Sequence, residues 1–129
     1  MQGLQAALGL HDEDLWVIAT GLGGGIGRRQ LVCGALTGGV LACGLAVARR
    51  RGLNRETRNE LRAQTYASVQ ELTRRFEAEF GALDCRTLTG YDFAAPDGYQ
   101  AFSQSDTKDR VCHPAVRFVV RTVAELLGG

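Results

Sequence analysis

Residues 31–48 run for eighteen residues without a charged side chain. Such a stretch either crosses a membrane or lies buried inside a protein, because water does not tolerate it on a surface. Gly34, Gly38, Gly39 and Gly44 stud it at spacings that suit close helix packing. Two features argue against a membrane. Arg28 and Arg29 flank one end and Arg49, Arg50 and Arg51 the other, so the charges give no orientation. Five of the eighteen residues are Gly or Thr, and no second apolar stretch of this length occurs. The expectation is a glycine-rich apolar central helix, with no membrane span.

The rest of the chain reads as helix around it. A first helix is expected over 3–9. A second is expected over about 12–21, with Leu15, Ile18, Ala19 and Leu22 on one face and an acidic start at His11-Asp12-Glu13-Asp14. Gly21 to Gly27 reads as a turn, and the central helix as about 28–50, ended by Gly52. Asn54 is placed to cap a helix over about 55–80, whose stripe is Leu61, Thr65, Val69, Leu72, Phe76 and Phe80, with Gly81 beyond its end. Asp84 caps a short helix carrying Cys85 and Leu88. Residues 89–110 are polar and turn-rich, long enough for a binding loop or lid. Pro114 opens a last helix with stripe Val116, Val119, Val120, Val123 and Leu127. The fold class is therefore all-α: one domain over 1–129, a compact helical bundle of about five helices.

Global charge excludes little but nucleic acid. The net charge is +1, and the basic run from Arg49 to Arg62 is interleaved by Glu56 and Glu60, which makes a solvated face. Lys108 is the one lysine. The glycine turn holds no G-x-G-x-x-G register and follows no strand, so it is no dinucleotide fingerprint. The first ten residues are apolar but short and lack a basic start, so they do not read as a secretory signal. A cytoplasmic location is expected.

Four cysteines in such a chain point to redox, catalytic or metal chemistry rather than a structural disulfide set. Cys33, Cys85 and Cys112 each fall near the start of an expected helix, where the dipole favours the thiolate that attacks disulfides and binds metals. Cys43 lies ten residues beyond Cys33, about 15 Å along one helix at 1.5 Å per residue, so it cannot share a site with it. It reads as a small buried hydrophobe. His113 adjoins Cys112 and is the one histidine placed to join the cysteines, although an N-cap role explains it as well.

The segments GGGIGRRQLVCGALTGGVLACGL, FGALDCRTL and VCHPAV, in that order, resemble the redox-active proteins named for their C_GCAxxG_C_C pattern. On that resemblance Cys33 matches the cysteine beside the Gly34-Ala35 pair with Gly38, Cys85 the third cysteine and Cys112 the last. The family's first cysteine falls at Gly3, ahead of Gln5-Ala6, and is absent here. The resemblance implies an iron–sulfur or thiol-redox role, with Cys33, Cys85 and Cys112 as ligands or redox thiols and Gly34 and Gly38 beside the cofactor; His113, adjoining Cys112, the missing first cysteine and an exogenous ligand are the candidates for the fourth position at the cofactor. Related domains in split-Soret cytochromes carry an iron–sulfur cluster alongside haem, but no C-x-x-C-H haem attachment site occurs in this chain. The alternatives are a cofactor-free thiol–disulfide protein, a zinc or other transition-metal site on the same residues, and a helical interaction module. The partner would be an electron-transfer or thiol protein, and a homodimer along the glycine-studded helix is expected.

Overall fold

A central helix does form, and its glycines decide what it can touch. The computed structural model describes residues 3–5, 13–52 and 54–128. After a helical stretch at 3–5, a short α1 (Leu15–Ile18) and a 3-10 turn (Thr20–Leu22) lead to α2 (Gly34–Arg51). Then follow α3 (Arg58–Phe80), α4 (Cys85–Thr89), α5 (Gly98–Gln104), a π-helical turn (Lys108–Cys112) and α6 (His113–Leu127). No strand occurs among the described residues; the one extended pairing is an isolated antiparallel bridge between Val32 and Asp84.

α2, α3 and α6 pack against one another and carry the core. Gly39 lies where the three meet. A Cβ there would stand 2.6 Å from Val119 Cγ1 of α6 and 2.9 Å from Leu72 Cδ2 of α3. Cys43, Val47, Leu72, Phe76, Val119 and Val123 are fully buried around this contact. Burying each of the larger side chains contributes roughly 1.5–3 kcal/mol. The rings of Phe76, Phe80 and Phe118 meet at one edge of the core, with centroids 4.7–6.2 Å apart. The all-α class and the helical bundle hold, with three long helices and several short ones among the described residues. The seam offered for a homodimer is also partly occupied within the chain, since Gly38 and Gly39 are buried there.

The element ends match the expectations where capping chemistry sets them. Gly52 and Gly81 both take positive φ and end α2 and α3. The Asn54 Oδ1 accepts from the Thr57 N–H at 2.8 Å, although regular helix begins only at Arg58. Three expectations fail. Residues 28–33 are not helical; α2 starts at Gly34 because the preceding backbone is left-handed or extended. Ile18 is exposed, because α1 is a single turn rather than a packed amphipathic helix. The 89–110 segment, expected as a binding loop or lid, contains α5, held by the buried Phe102. Pro114 does stand in the first turn of α6, as expected, and the π-helical turn runs straight into that helix. His11, Asp12 and the expected helical residues 6–9 lie outside the described residues. No described helix is long and apolar enough to cross a membrane.

Candidate functional site

Three separate backbone devices bring Cys33, Cys85 and Cys112 to one end of the bundle. The first is a left-handed loop. Gly24, Gly25, Ile26, Gly27 and Arg28 take positive φ in succession, and Gln30 does so two residues later. The loop closes on itself: Gly27 N–H donates to Gly21 O at 2.9 Å, and Leu31 N–H to Gly25 O at 2.9 Å. Left-handed backbone costs a non-glycine residue roughly 1–2 kcal/mol, so Ile26, Arg28 and Gln30 must be held by their surroundings. Gly25 is also obligatory for space, since a Cβ there would stand 2.8 Å from the Cβ of Cys85.

The second device is the bridge. Cys33 N–H donates to Leu83 O at 2.8 Å and Cys85 N–H to Leu31 O at 2.7 Å, on either side of the Val32–Asp84 pair. Cys33 thus occupies the N-cap position of α2, and Cys85 the first position of α4. Asp84 does cap α4: its Oδ2 accepts from the Thr87 N–H and hydroxyl, both at 2.8 Å. The third device is the π-helical turn. Its wider winding stacks residues four to five apart, and Lys108, Cys112, His113 and Val116 all reach the same space.

That space is a cavity of about 730 Å³. Cys33, Cys85 and Cys112 line it, as do Gly23 to Gly25, Gly27 and Arg28 of the loop, Gly34 and Ala35 of α2, and Phe93, Tyr99 and Phe102. All four cysteines are free thiols. The order of these segments matches a protein family described as "Putative redox-active protein (C_GCAxxG_C_C)", over residues 1–126. The chain belongs to this family. No curated protein and no solved structure matches it.

Among the residues assigned to the site from this family's pattern, Cys33, Cys85, Cys112, Gly34 and His113 all line the cavity. Gly38 does not; it is buried on α2, one turn further into the core. Gly3, at the position of the absent first cysteine, packs 3.2 Å from Val120 Cγ2 when given a Cβ, and is not part of the lining. His113 is the first residue of α6 rather than its cap, and its Nδ1 stands 3.1 Å from Asp109 Oδ1. Cys43 is fully buried in the core, where burial pushes its thiol up to about 11. Lys108, expected in a plain polar loop, lines the cavity with its Nζ 5.6 Å from the Phe102 ring centroid.

The electrostatics overturn one expectation. Helix starts were expected to favour thiolate at these cysteines. Instead, the Cys85 and Cys112 thiols are both raised. Burial is the largest cause in each, and the neighbouring Cys33 adds to it. Cys112 has no open helix start, because the π-helical turn continues into α6. Cys85 heads a helix of only five residues, whose dipole is small. Lys108 opposes the shift at Cys112, and a hydrogen bond from Gln30 opposes it at Cys85.

Gln30 is the residue that sequence reasoning missed. It is only 7% exposed. Its Nε2 donates to Tyr91 O at 2.7 Å and reaches Thr89 Oγ1 at 3.4 Å, while its Oε1 accepts from the Phe93 N–H at 2.8 Å. One side chain therefore ties the left-handed loop to the segment that presents Phe93, and also touches Cys85. A glutamine between arginine and leucine carries no spacing signal; only its distance of some sixty residues from its partners gives it meaning.

Proposed function

We propose that this family member is a redox protein whose Cys33, Cys85 and Cys112 thiols hold an iron–sulfur cluster in the cavity. The observation carrying this reading is that three thiols from three elements line one cavity. Thiolate is the usual ligand of such clusters, and a histidine is the known substitute; His113 lies in the same lining. Among the described residues no three His, Cys, Asp or Glu side chains gather closely enough for a single metal ion. A bound cluster would supply one-electron chemistry and would hold the ligating thiols deprotonated. The protein's own residues contribute the fixed positions of the thiols, the apolar wall from Phe93 and Phe102, and the Gln30 hydrogen bond at Cys85.

A cofactor-free thiol–disulfide reading is the second. Two of the thiols would lose two electrons and two protons to a disulfide partner, forming an internal disulfide. It is supported by the influence of Cys33 on the Cys85 thiol. Cys33 and Cys85 are diagonal neighbours across the bridge. Diagonal neighbours in such a pairing stand roughly 7–8 Å apart, at the limit of what a disulfide spans without backbone movement.

Anaerobic preparation with iron, sulfide and zinc analysis and a visible spectrum tests both. A brown protein with iron and sulfide, lost on Cys33→Ser or Cys85→Ser, is expected. A protein that stays colourless after reconstitution with iron and sulfide overturns the cluster. An internal disulfide found in that colourless protein by mass spectrometry would establish the second reading.

A further inference from the structure

The cavity is larger than the three thiols require, and its other walls carry a charge pattern of their own. We propose that it also binds a small organic anion with a flat aromatic body, an aromatic carboxylate in class. The inference rests on the redox reading above only for what the ligand would lie beside; its binding stands on the cavity itself.

Three observations carry it. At about 730 Å³ the cavity falls within the roughly 300–1,000 Å³ typical of small-molecule pockets. One wall is aromatic: Phe93, Tyr99 and Phe102 line it, and their ring centroids are 4.9–6.0 Å apart. The lining also includes Gly23 and Gly27, where a Cβ would meet nothing closer than 3.7 Å. A flat ring can therefore lie against aromatic side chains and bare backbone.

The third observation is charge. Arg28 and Lys108 line the cavity, and no Asp or Glu does. Five other arginines, Arg51, Arg74, Arg75, Arg86 and Arg110, are in ion pairs with carboxylates. Arg28 and Lys108 are in none of the ion pairs among the described residues; aromatic rings hold them instead. The Arg28 guanidinium carbon stands 3.8 Å from the Tyr99 ring centroid, and Lys108 Nζ 5.6 Å from that of Phe102. Stacking occupies the face of a guanidinium and leaves its in-plane N–H donors free. Those donors match a carboxylate, while the rings match an aromatic body. A neutral aromatic would leave both cations without a counter-charge, and inorganic phosphate would leave the aromatic lining without an apolar partner.

The test is calorimetric titration of the purified full chain with 2-naphthoate and, separately, with the neutral 2-naphthalenemethanol. Naphthoate should bind about tenfold more tightly than the alcohol, the size expected for one charge-assisted contact. Arg28→Gln and Lys108→Gln should each remove most of that difference and leave alcohol binding unchanged. Phe93→Leu should weaken both ligands, and Arg62→Gln, on the solvated face of α3, neither. Equal affinity for the two ligands, no heat from either, or an effect of Arg62→Gln equal to that of Arg28→Gln overturns the proposal. So does an Arg28→Gln protein that alters thiol alkylation while binding naphthoate normally, because the cation would then serve the thiols. Iron and disulfide analysis on the same samples keeps the two readings apart. Naphthoate binding without cluster or disulfide leaves the pocket and removes the redox reading; a cluster-bearing protein indifferent to naphthoate does the reverse.

Discussion

The two ends of α2 use the same residue types for opposite purposes. Midway along it, Gly39 lets α3 and α6 close to within contact of the backbone, and Cys43 fills the dry space beside them. At its start, Cys33 and Gly34 open onto a cavity, and the glycines of the preceding loop bring backbone against Cys85 rather than against a helix. In the core half, substitutions should cost stability and leave the thiol chemistry alone. At the cavity end they should change the thiols at smaller cost to the fold. Each of the following variants tests that division, in order of expected size.

Gly39→Val should have the largest effect. Its side chain would collide with Val119 and Leu72, both fully buried and without room to move. A loss of about 3 kcal/mol, at the upper end for overpacking, is expected in urea unfolding, with the Cys85 alkylation rate in the folded protein unchanged. A stable Gly39→Val protein would mean that the three-helix contact is looser than 2.6 Å implies.

Gly25→Ala comes next, at about 2 kcal/mol from a strained left-handed residue and a backbone collision. A new Cβ would meet Leu31 N at 2.7 Å and Cys85 Cβ at 2.8 Å. Unlike Gly39→Val, this variant should change Cys85 reactivity and reduce any iron bound. Unaltered Cys85 chemistry in it would break the comparison.

Gln30→Leu should cost roughly 1–3 kcal/mol, because it leaves the half-buried Tyr91 carbonyl and Phe93 N–H without their partner. It also removes the one hydrogen bond that draws the Cys85 thiol down. The pH midpoint of Cys85 alkylation should therefore rise while that of Cys112 stays in place. Equal movement of both midpoints would reduce Gln30 to a general structural role.

How much of this was legible in the sequence follows from which forces act locally. The core run of α2, the stripe of α3, the stop at Gly81 and the Asp84 cap on Cys85 depend on near neighbours, and all could be read. So could the separation of Cys43 from Cys33, which is a matter of helical rise. The beginning of α2 could not. Arg28-Arg29-Gln30 has ordinary helix-forming residues, yet Arg28 and Gln30 adopt left-handed backbone because contacts some sixty residues away hold the loop. α5 was hidden because a seven-residue helix with a single buried side chain has no period to detect. The thiol pKa directions were misjudged because position along a helix is local, whereas burial and the approach of Cys33 are tertiary.

Cys43→Ala should have the smallest effect, and its sign can be worked out. The thiol is pushed up to about 11 from 9.0 because burial opposes the thiolate. Unfolded chains therefore ionise Cys43 first as the pH rises, so native stability from this group is full below about 9 and falls between 9 and about 11. Replacing it with alanine should cost about 1 kcal/mol near neutrality, for one buried sulfur. The alkaline decline should also be shallower in the variant than in the parent. Urea midpoints measured from pH 8 to pH 11 check this, with iron content and Cys85 alkylation as controls that should not move. A Cys43→Ala protein that loses iron would place the buried thiol in the functional site after all, and the division between the two ends of α2 would fall.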